Sequence, residues 1–298
     1  MHDKVNRPRP KYPVSSRHGF FASWVLVLLL TGGMQAAQTI ESPDGHIVVT
    51  FDVKDGADRQ GCLIYTVTYD KQPIVVDSRL GLAIKDAAPL ETGFDLINTS
   101  KSSHDSTYSP IYGERKTIRD RYNQLIVDVK ESRPPHRWLR LTFRAYNEGA
   151  AFCYTLPEQD ALKDFVISAE KTQFHFAGDH DAYAVYSAQG QYSRVPLSEI
   201  KNDCERPLTI QINDRLFASV GEARLVDYAR IRLSPDRSQP HTLVSSLAGE
   251  VRATTPLTTP WRVLLLGRTP GELLRAQRPV PEPQRALRHR RYLLDQAR

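Results

Sequence analysis

Thr254-Thr-Pro-Leu-Thr-Thr-Pro-Trp-Arg-Val-Leu-Leu-Leu-Gly267 divides a β-rich body from a tail without fold signal. Pro256 and Pro260 lack N–H donors and favour extended chain before them, which suits the start of a strand or a sheet edge. Trp261 to Leu266 then runs as a short, nearly continuous apolar strand, the pattern of a strand buried on both faces. After Gly267 a helix start can be read in Pro270, Gly271, Glu272, Leu273 and Leu274.

Upstream, short alternating segments separated by turn residues recur from Ile40 onward. Ser42-Pro43-Asp44-Gly45 turns the chain into His46–Val53, where Ile47, Val49 and Phe51 share one face. Cys62–Tyr69, Gln72–Asp77, Arg79–Lys85, Gly93–Thr99, Asn123–Lys130, Trp138–Tyr146 and Ala150–Leu156 continue the series. Asn147-Glu148-Gly149 reads as a hairpin connection in which Gly supplies positive φ. A second set runs through Phe165–Ser168, Thr172–Phe176, Ala182–Tyr186, Leu208–Ile212, Leu216–Val220, Arg230–Leu233, His241–Val244 and Trp261–Leu266. About sixteen strands with almost no helix exceed one ordinary sheet of roughly 4 to 6 strands. The expectation is an all-β fold, a large antiparallel super-sandwich of two packed sheets.

The formal charge of +6 suggests nucleic acid until it is located. Residues 1–17 contribute +4 and residues 275–298 contribute +5, leaving −3 for the body, so a phosphate-binding face loses its main support and no nucleic-acid partner is expected. Lys4, Arg7, Arg9, Lys11 and Arg17 precede the uncharged run Gly19–Leu30, and small residues Ala36 and Ala37 follow. That is the layout of an export signal cleaved near Ala36 or Ala37. The apolar run is shorter than the roughly 20 residues needed to span a bilayer, so no stable membrane span is expected after cleavage. Residues 1–37 are therefore assigned to a disordered signal peptide, 38–274 to the sandwich and 275–298 to a basic disordered tail, and the product to the periplasm or medium. Three cysteines, Cys62, Cys153 and Cys204, exclude a disulfide scaffold and leave at most one bridge. Cys62 and Cys153 sit in apolar strand-like runs, as small buried thiols do.

Nine short motifs fall in one order along this body. They are Ser42-Pro43-Asp44-Gly45, Ser78-Arg79-Leu80-Gly81-Leu82, Tyr112-Gly113-Glu114, Arg121-Tyr122-Asn123, Phe143-Arg144-Ala145-Tyr146-Asn147-Glu148-Gly149, Ala177-Gly178-Asp179-His180, Pro196-Leu197-Ser198-Glu199-Ile200, Glu222-Ala223-Arg224-Leu225-Val226-Asp227-Tyr228 and Leu257-Thr258-Thr259-Pro260-Trp261-Arg262. In that order they resemble the N-terminal domain of glycoside hydrolase family 97, a family of α-glucosidases and α-galactosidases. The resemblance implies a β-super-sandwich packed against a (β/α)₈ barrel that carries the catalytic carboxylates, and no barrel is read in this sequence. It also implies calcium in the intact family, held mostly by barrel Glu residues plus one Glu from the loop corresponding to Asp181–Val195. Here that loop offers Gln189 and Gln191, whose neutral amide oxygens can bind calcium but add no charge. The chain alone is therefore expected to bind none.

Glycoside hydrolysis needs two carboxyl groups flanking the scissile bond. Asp179, His180 and Asp181 form the densest ionisable cluster, which could suggest a metal or an acid–base group, but a turn held by side-chain bonds to neighbouring backbone is the favoured reading. The resemblance implies that this loop faces the barrel's sugar pocket, making Asp179, His180, Asp181, Gln189, Gln191 and Tyr192 the substrate-facing candidates, with no catalytic residue in the chain. Glu114, Asn123, Glu148, Glu199 and Glu222 fit turns and domain-interface hydrogen bonds. Tyr183, Tyr186, Tyr192 and Trp261 could stack on a sugar, although most aromatics of a sandwich are core. The reading is a carbohydrate-facing, barrel-supporting domain of an exported α-glycosidase, truncated and inactive alone, with α-linked carbohydrate as its weak partner and self-association through the exposed docking face. The alternative is a free-standing carbohydrate-binding or envelope-interaction sandwich.

The tail fits this reading. One nucleotide on, codons that can encode Pro281–Ala286 spell Leu-Asn-Leu-Asn-Glu-Pro, and codons that can encode Arg291–Leu294 spell Asp-Thr-Ser-Trp, stretches like those that follow in the family. An out-of-frame tail has no reason to pack, and Pro279, Pro281 and Pro283 forbid a helix. Deleting Gln277–Arg298 is expected to leave thermal stability within about 0.5 kcal/mol of the full chain, measured by calorimetry. Unfolding of the deletion variant would show that the tail is a packed element.

Overall fold

The computed structural model describes residues 36–56, 59–110 and 115–276. The signal assigned to residues 1–37 lies outside them except for Ala36 and Ala37, as do Tyr112, Gly113, Glu114 and the tail from Gln277. In chain order the strands are β1 (Gln38–Glu41), β2 (Ile47–Lys54), β3 (Cys62–Tyr69), β4 (Gln72–Arg79), β5 (Leu82–Ile84), β6 (Phe94–Tyr108), β7 (Ile118–Glu131), β8 (Trp138–Tyr146), β9 (Gly149–Leu156) and β10 (Asp164–Glu170). They continue with β11 (Gln173–His175), β12 (Asp181–Ala184), β13 (Ser193–Pro196), β14 (Leu208–Asn213), β15 (Leu216–Ala223), β16 (Ile231–Pro235), β17 (Thr242–Leu247), β18 (Val251–Thr254), β19 (Leu257–Thr258) and β20 (Trp261–Gly267). The helix read after Gly267 is present as α1 (Pro270–Ala276). It takes in Arg275 and Ala276, which the sequence had assigned to the tail, because Ala276 is buried and the Arg275 carbonyl accepts a bond from Arg115 Nη2 at 2.9 Å.

Alternation builds the larger layer, an antiparallel ten-stranded sheet in the order β13-β12-β14-β15-β20-β9-β8-β7-β6, with β19 also on β9. Odd positions of β7 and β8, Leu125, Val127, Val129, Leu139, Leu141 and Phe143, point into the core, while Arg140 and Arg144 face outward. The opposing layer departs from the single large sheet expected. It is divided into a four-stranded sheet, β1-β2-β3-β4, and two three-stranded ones, β18-β10-β5 and β11-β17-β16, the last of which meets β4 through the Val75–Phe176 bridge. Aromatic rings join the layers: Phe51 and Phe143 lie 5.6 Å apart and Tyr65 and Phe152 4.9 Å apart.

Several boundaries differ from the sequence reading for identifiable reasons. Gly93–Thr99 and Asn123–Lys130 extend to the long hairpin β6–β7; the added residues of β6 are polar and solvent-facing, and those of β7 alternate buried Ile118, Asp120 and Tyr122 with exposed arginines, a pattern too polar to read as apolar alternation. Arg79–Lys85 is broken at Leu80-Gly81: a Cβ on Gly81 would lie 2.7 Å from Glu91 Cβ, so only glycine permits this close approach. Gly149 takes the positive φ expected of it, +156°, and space demands glycine there as well, a Cβ meeting the Leu264 carbonyl at 2.2 Å. Cys62, Cys153 and Cys204 are all buried and free, and burial raises each thiol above its ordinary pKa.

β20 confirms the two-faced burial expected of it, with one unexpected occupant. Trp261 lies on the outer face, and Arg262, entirely buried, turns into the core. Its Nε and Nη2 fork onto Glu170 at the end of β10, at 2.7 and 2.5 Å, and Nη1 reaches Glu222 of β15 at 3.0 Å. Glu170 also accepts a 2.7 Å bond from Thr172, and Glu222 accepts from Arg206 Nε at 2.6 Å and the Ile231 N–H at 3.1 Å. Removing one member strands a buried charge, at a cost of about 3 to 5 kcal/mol, whereas replacing a buried ion pair with apolar groups of similar volume is often neutral. Glu170→Ala is therefore expected to lose that much in denaturant unfolding, and Glu170→Met with Arg262→Met to recover most of it. Equal losses in the single and double variants would refute the pairing.

Candidate functional site

Strands β12 and β13 form the hairpin at one edge of the ten-stranded sheet, and the loop between them, residues 185–192, contains three of the six substrate-facing candidates, Gln189, Gln191 and Tyr192. Register places this loop at the end of the sheet where β15 gives way to the Arg224–Tyr228 segment. Four of the six exposed large apolar side chains among the described residues project from these two loops: Tyr186, Tyr192, Leu225 and Val226. A turn within the hairpin loop, Gly190 N–H to Ser187 carbonyl at 3.0 Å, brings Gln189 and Gln191 out into solvent. Tyr192 is 62% exposed, and neither it nor either glutamine side chain has a hydrogen-bond partner among the described residues.

The ionisable cluster at the base of the hairpin is engaged internally. Asp179 accepts bonds from the Ser198 N–H at 2.9 Å and its Oγ–H at 2.6 Å, tying the turn to the short 3₁₀ helix Leu197–Glu199. Burial would raise this carboxyl, but the two Ser198 bonds outweigh it and the pKa lies below its ordinary value. Asp181 pairs with Arg194 across the hairpin at 2.7 Å, and Arg194 also donates to Gln211 on β14 at 3.2 Å. His180 turns inward: its Nε2 is buried without a hydrogen-bond partner, and burial together with the nearby His241 lowers its pKa. Tyr186 accepts from the Lys201 N–H at 2.9 Å, while Tyr183 is half-buried.

The arrangement can recognise but is poorly suited to acid–base work. Asp179 and Asp181 are committed to a serine and an arginine, and the free groups of the projecting loop are two neutral amides and a phenol. Calcium takes about six to eight oxygens, usually with carboxylates among them, and two exposed amides on one loop do not make such a site. Among the described residues no three His, Cys, Asp or Glu gather to hold a metal ion.

Of the residues assigned to turns and domain interfaces, Glu222 belongs instead to the buried network around Arg262, because its carboxylate faces inward from β15. Asn123 bridges Ser103 Oγ at 2.7 Å and the Glu41 carbonyl at 2.8 Å, and Glu199 is exposed in the 3₁₀ turn. Trp261 is buried on the outer face, where Arg144 lies between its ring and that of Tyr122, 4.4 and 4.2 Å from the two centroids. Sequence reasoning passed over Glu170 and Arg144; an arginine within an apolar strand, as at Arg262, was the available sign that buried acids must be near.

A family model described as glycosyl-hydrolase 97 N-terminal matches residues 40–277. Among solved structures, a glycoside hydrolase family 97 enzyme from Pseudoalteromonas sp. strain K8 in complex with acarbose superposes with a TM-score of 0.74 at 25% identity. A variant of that enzyme in complex with panose gives the same values, and each match covers 80% of this chain and 36% of the other. A β-arabinopyranosidase, 18% identical with a TM-score of 0.68 over 78% of this chain and 40% of that one, shares the fold. The chain thus spans well under half the length of these relatives.

His180 makes stability pH-dependent. Its folded pKa is depressed below the unfolded value of about 6.5, so its contribution is complete above that value and is lost as pH falls toward the folded pKa. His175, also lowered by burial, acts in the same direction. The melting temperature is expected to decline below about pH 6.5, and His180→Gln to flatten that decline in part. Parallel curves for the two proteins would exclude His180 as a source.

Proposed function

The chain belongs to glycoside hydrolase family 97, whose N-terminal domain it carries, and from that premise we propose that this domain holds an α-linked sugar against a catalytic module without supplying the chemistry. The observation that carries the proposal is the division of labour at the β12–β13 hairpin. Asp179 and Asp181 are consumed by Ser198 and Arg194, while Gln189, Gln191 and Tyr192 remain free to donate, accept and stack. Amides and a phenol can read hydroxyl groups and the apolar face of a sugar ring, but they cannot provide the paired carboxyl groups that glycoside hydrolysis requires. The relatives solved with acarbose and panose bring α-linked sugars to this chain as its substrate class.

The same reading assigns a docking role to the outer face of the ten-stranded sheet. α1 lies on that face, since Leu273 packs 3.3 Å from the position a Cβ on Gly267 would take, and Leu274 is 70% exposed beside it. With Leu225 and Val226 at the opposite end of β20, exposed apolar groups bracket the face, as docking surfaces do. Without a partner, this face drives self-association. Export to the periplasm or medium follows from the basic, apolar and small-residue sequence of residues 1–37.

A polypeptide of residues 38–276 is expected to give no turnover of p-nitrophenyl α-glucoside or α-galactoside above the buffer rate. Hydrolysis abolished by one substitution within those residues, Asp179→Asn or Asp181→Asn first, would place catalysis inside the domain and overturn the proposal.

A further inference from the structure

Away from the hairpin loop, two adjoining cavities of about 790 and 390 Å³ meet at Pro235-Asp236-Arg237, where β16 ends. Lys201 lines the larger, Arg79 and Lys171 the smaller, and Arg237 both. All four side chains are exposed, and none makes an ion pair or hydrogen bond among the described residues. Neither acid of the lining forms an ion pair or hydrogen bond with any of the four, although Asp236 is within electrostatic reach of Arg79. Glu91 lies on Arg59 at 3.3 Å. Asp236 accepts from Gln173 Nε2 at 2.8 Å and from the Ser238 N–H and Oγ–H at 2.9 and 2.6 Å, so both of its oxygens are occupied by neutral donors. Counting Arg59, the lining holds five cations against two acids, on a body whose net charge is −3.

We propose that this trough binds an acidic polysaccharide, a chain of sugars bearing carboxylate or sulfate groups, at a surface separate from the β12–β13 hairpin. Three features select that class. No Phe, Tyr or Trp lines either cavity, which removes the stacking platform that neutral sugar rings and nucleic-acid bases both use. Asn202 and Gln239 stand among the cations as partners for hydroxyl groups. The cations are spread along two connected cavities rather than converging on one point, so a repeating polyanion can engage them together, each weak exposed contact adding through the shared chain.

The test uses the full chain in affinity electrophoresis and calorimetry with polygalacturonate, dextran sulfate, neutral dextran and single-stranded DNA. Retention by at least one acidic polysaccharide and none by neutral dextran is expected, and the two polyanions separate a carboxylate from a sulfate preference. Arg79→Ala with Arg237→Ala is expected to weaken binding about tenfold, as loss of two exposed charge contacts should. Arg252→Ala, an exposed arginine on β18 outside both cavities, is expected to leave it unchanged. The arginines after Ala276 are constant across the series, so a difference between variants belongs to the trough. The substituted side chains make no bonds, and unchanged melting temperatures verify that the fold is intact. Failure to bind either polyanion, equal binding by the double variant, or DNA binding as tight as the best polysaccharide would overturn the proposal. None of these outcomes touches the proposed role of the hairpin, which is read by activity.

Discussion

A guanidinium with no exposure to water must be met by carboxylates, and Arg262 imposes that demand on the whole domain. Its fork onto Glu170 ties β20 of the large sheet to the end of β10 in the opposing layer, and its third contact draws in Glu222 from the neighbouring β15. Glu222 in turn holds Arg206 and the start of β16, and Glu205 binds Arg230 at 2.5 Å and Arg232 at 3.2 Å. A shift of β20 by one residue would point Arg262 outward and Trp261 inward, leaving Glu170 uncompensated. The network thus fixes which face of β20 belongs to the core and which carries the Tyr122–Arg144–Trp261 stack.

That fixed register has consequences at both ends of the sheet. The Arg224–Tyr228 segment follows directly from β15, with Tyr228 closing over Arg262 at 5.7 Å, so Leu225 and Val226 are held out beside a rigid charged core. At the opposite end, β20 runs into α1, which packs back onto the outer face. Apolar groups are therefore exposed where the scaffold is firm, a condition suited to docking rather than to loose loops that could fold over and bury them.

Charge at the two surfaces is apportioned by similar means. The two aspartates at the base of the β12–β13 hairpin each have a partner: a serine hydroxyl for Asp179, a guanidinium for Asp181. These bonds shape the turn and leave the projecting loop with uncharged polar groups. In the trough the reverse holds, since the acids hydrogen-bond to Arg59 or to neutral donors and four of the five cations make no ion pair or hydrogen bond among the described residues. Local pairing, more than composition, decides what each surface can bind.

The residues by themselves determined the all-β class, the antiparallel sandwich, most strands of the core and the family, because alternation and turn chemistry are local properties that neighbours in sequence express. Cys62–Tyr69 and Trp138–Tyr146 were legible to the residue for that reason. The polar part of β6, the short strands β1, β13, β18 and β19, and the division of the second layer were not: β6 beyond Thr99 is polar and exposed, β1 and β13 are four-residue strands too short to show a period, and β18 and β19 exist through pairing with the distant β10 and β9. At the site, the sequence could nominate Asp179, His180 and Asp181 as a cluster. Only the tertiary structure decided that Ser198 and Arg194 consume the two acids while the Nε2 of His180 is buried without a hydrogen-bond partner. The sequence likewise displayed an arginine in an apolar strand; which carboxylates answer it, 92 and 40 residues away, depended on the strands brought beside it by packing, and a charge can be neutralised only by what lies next to it in space.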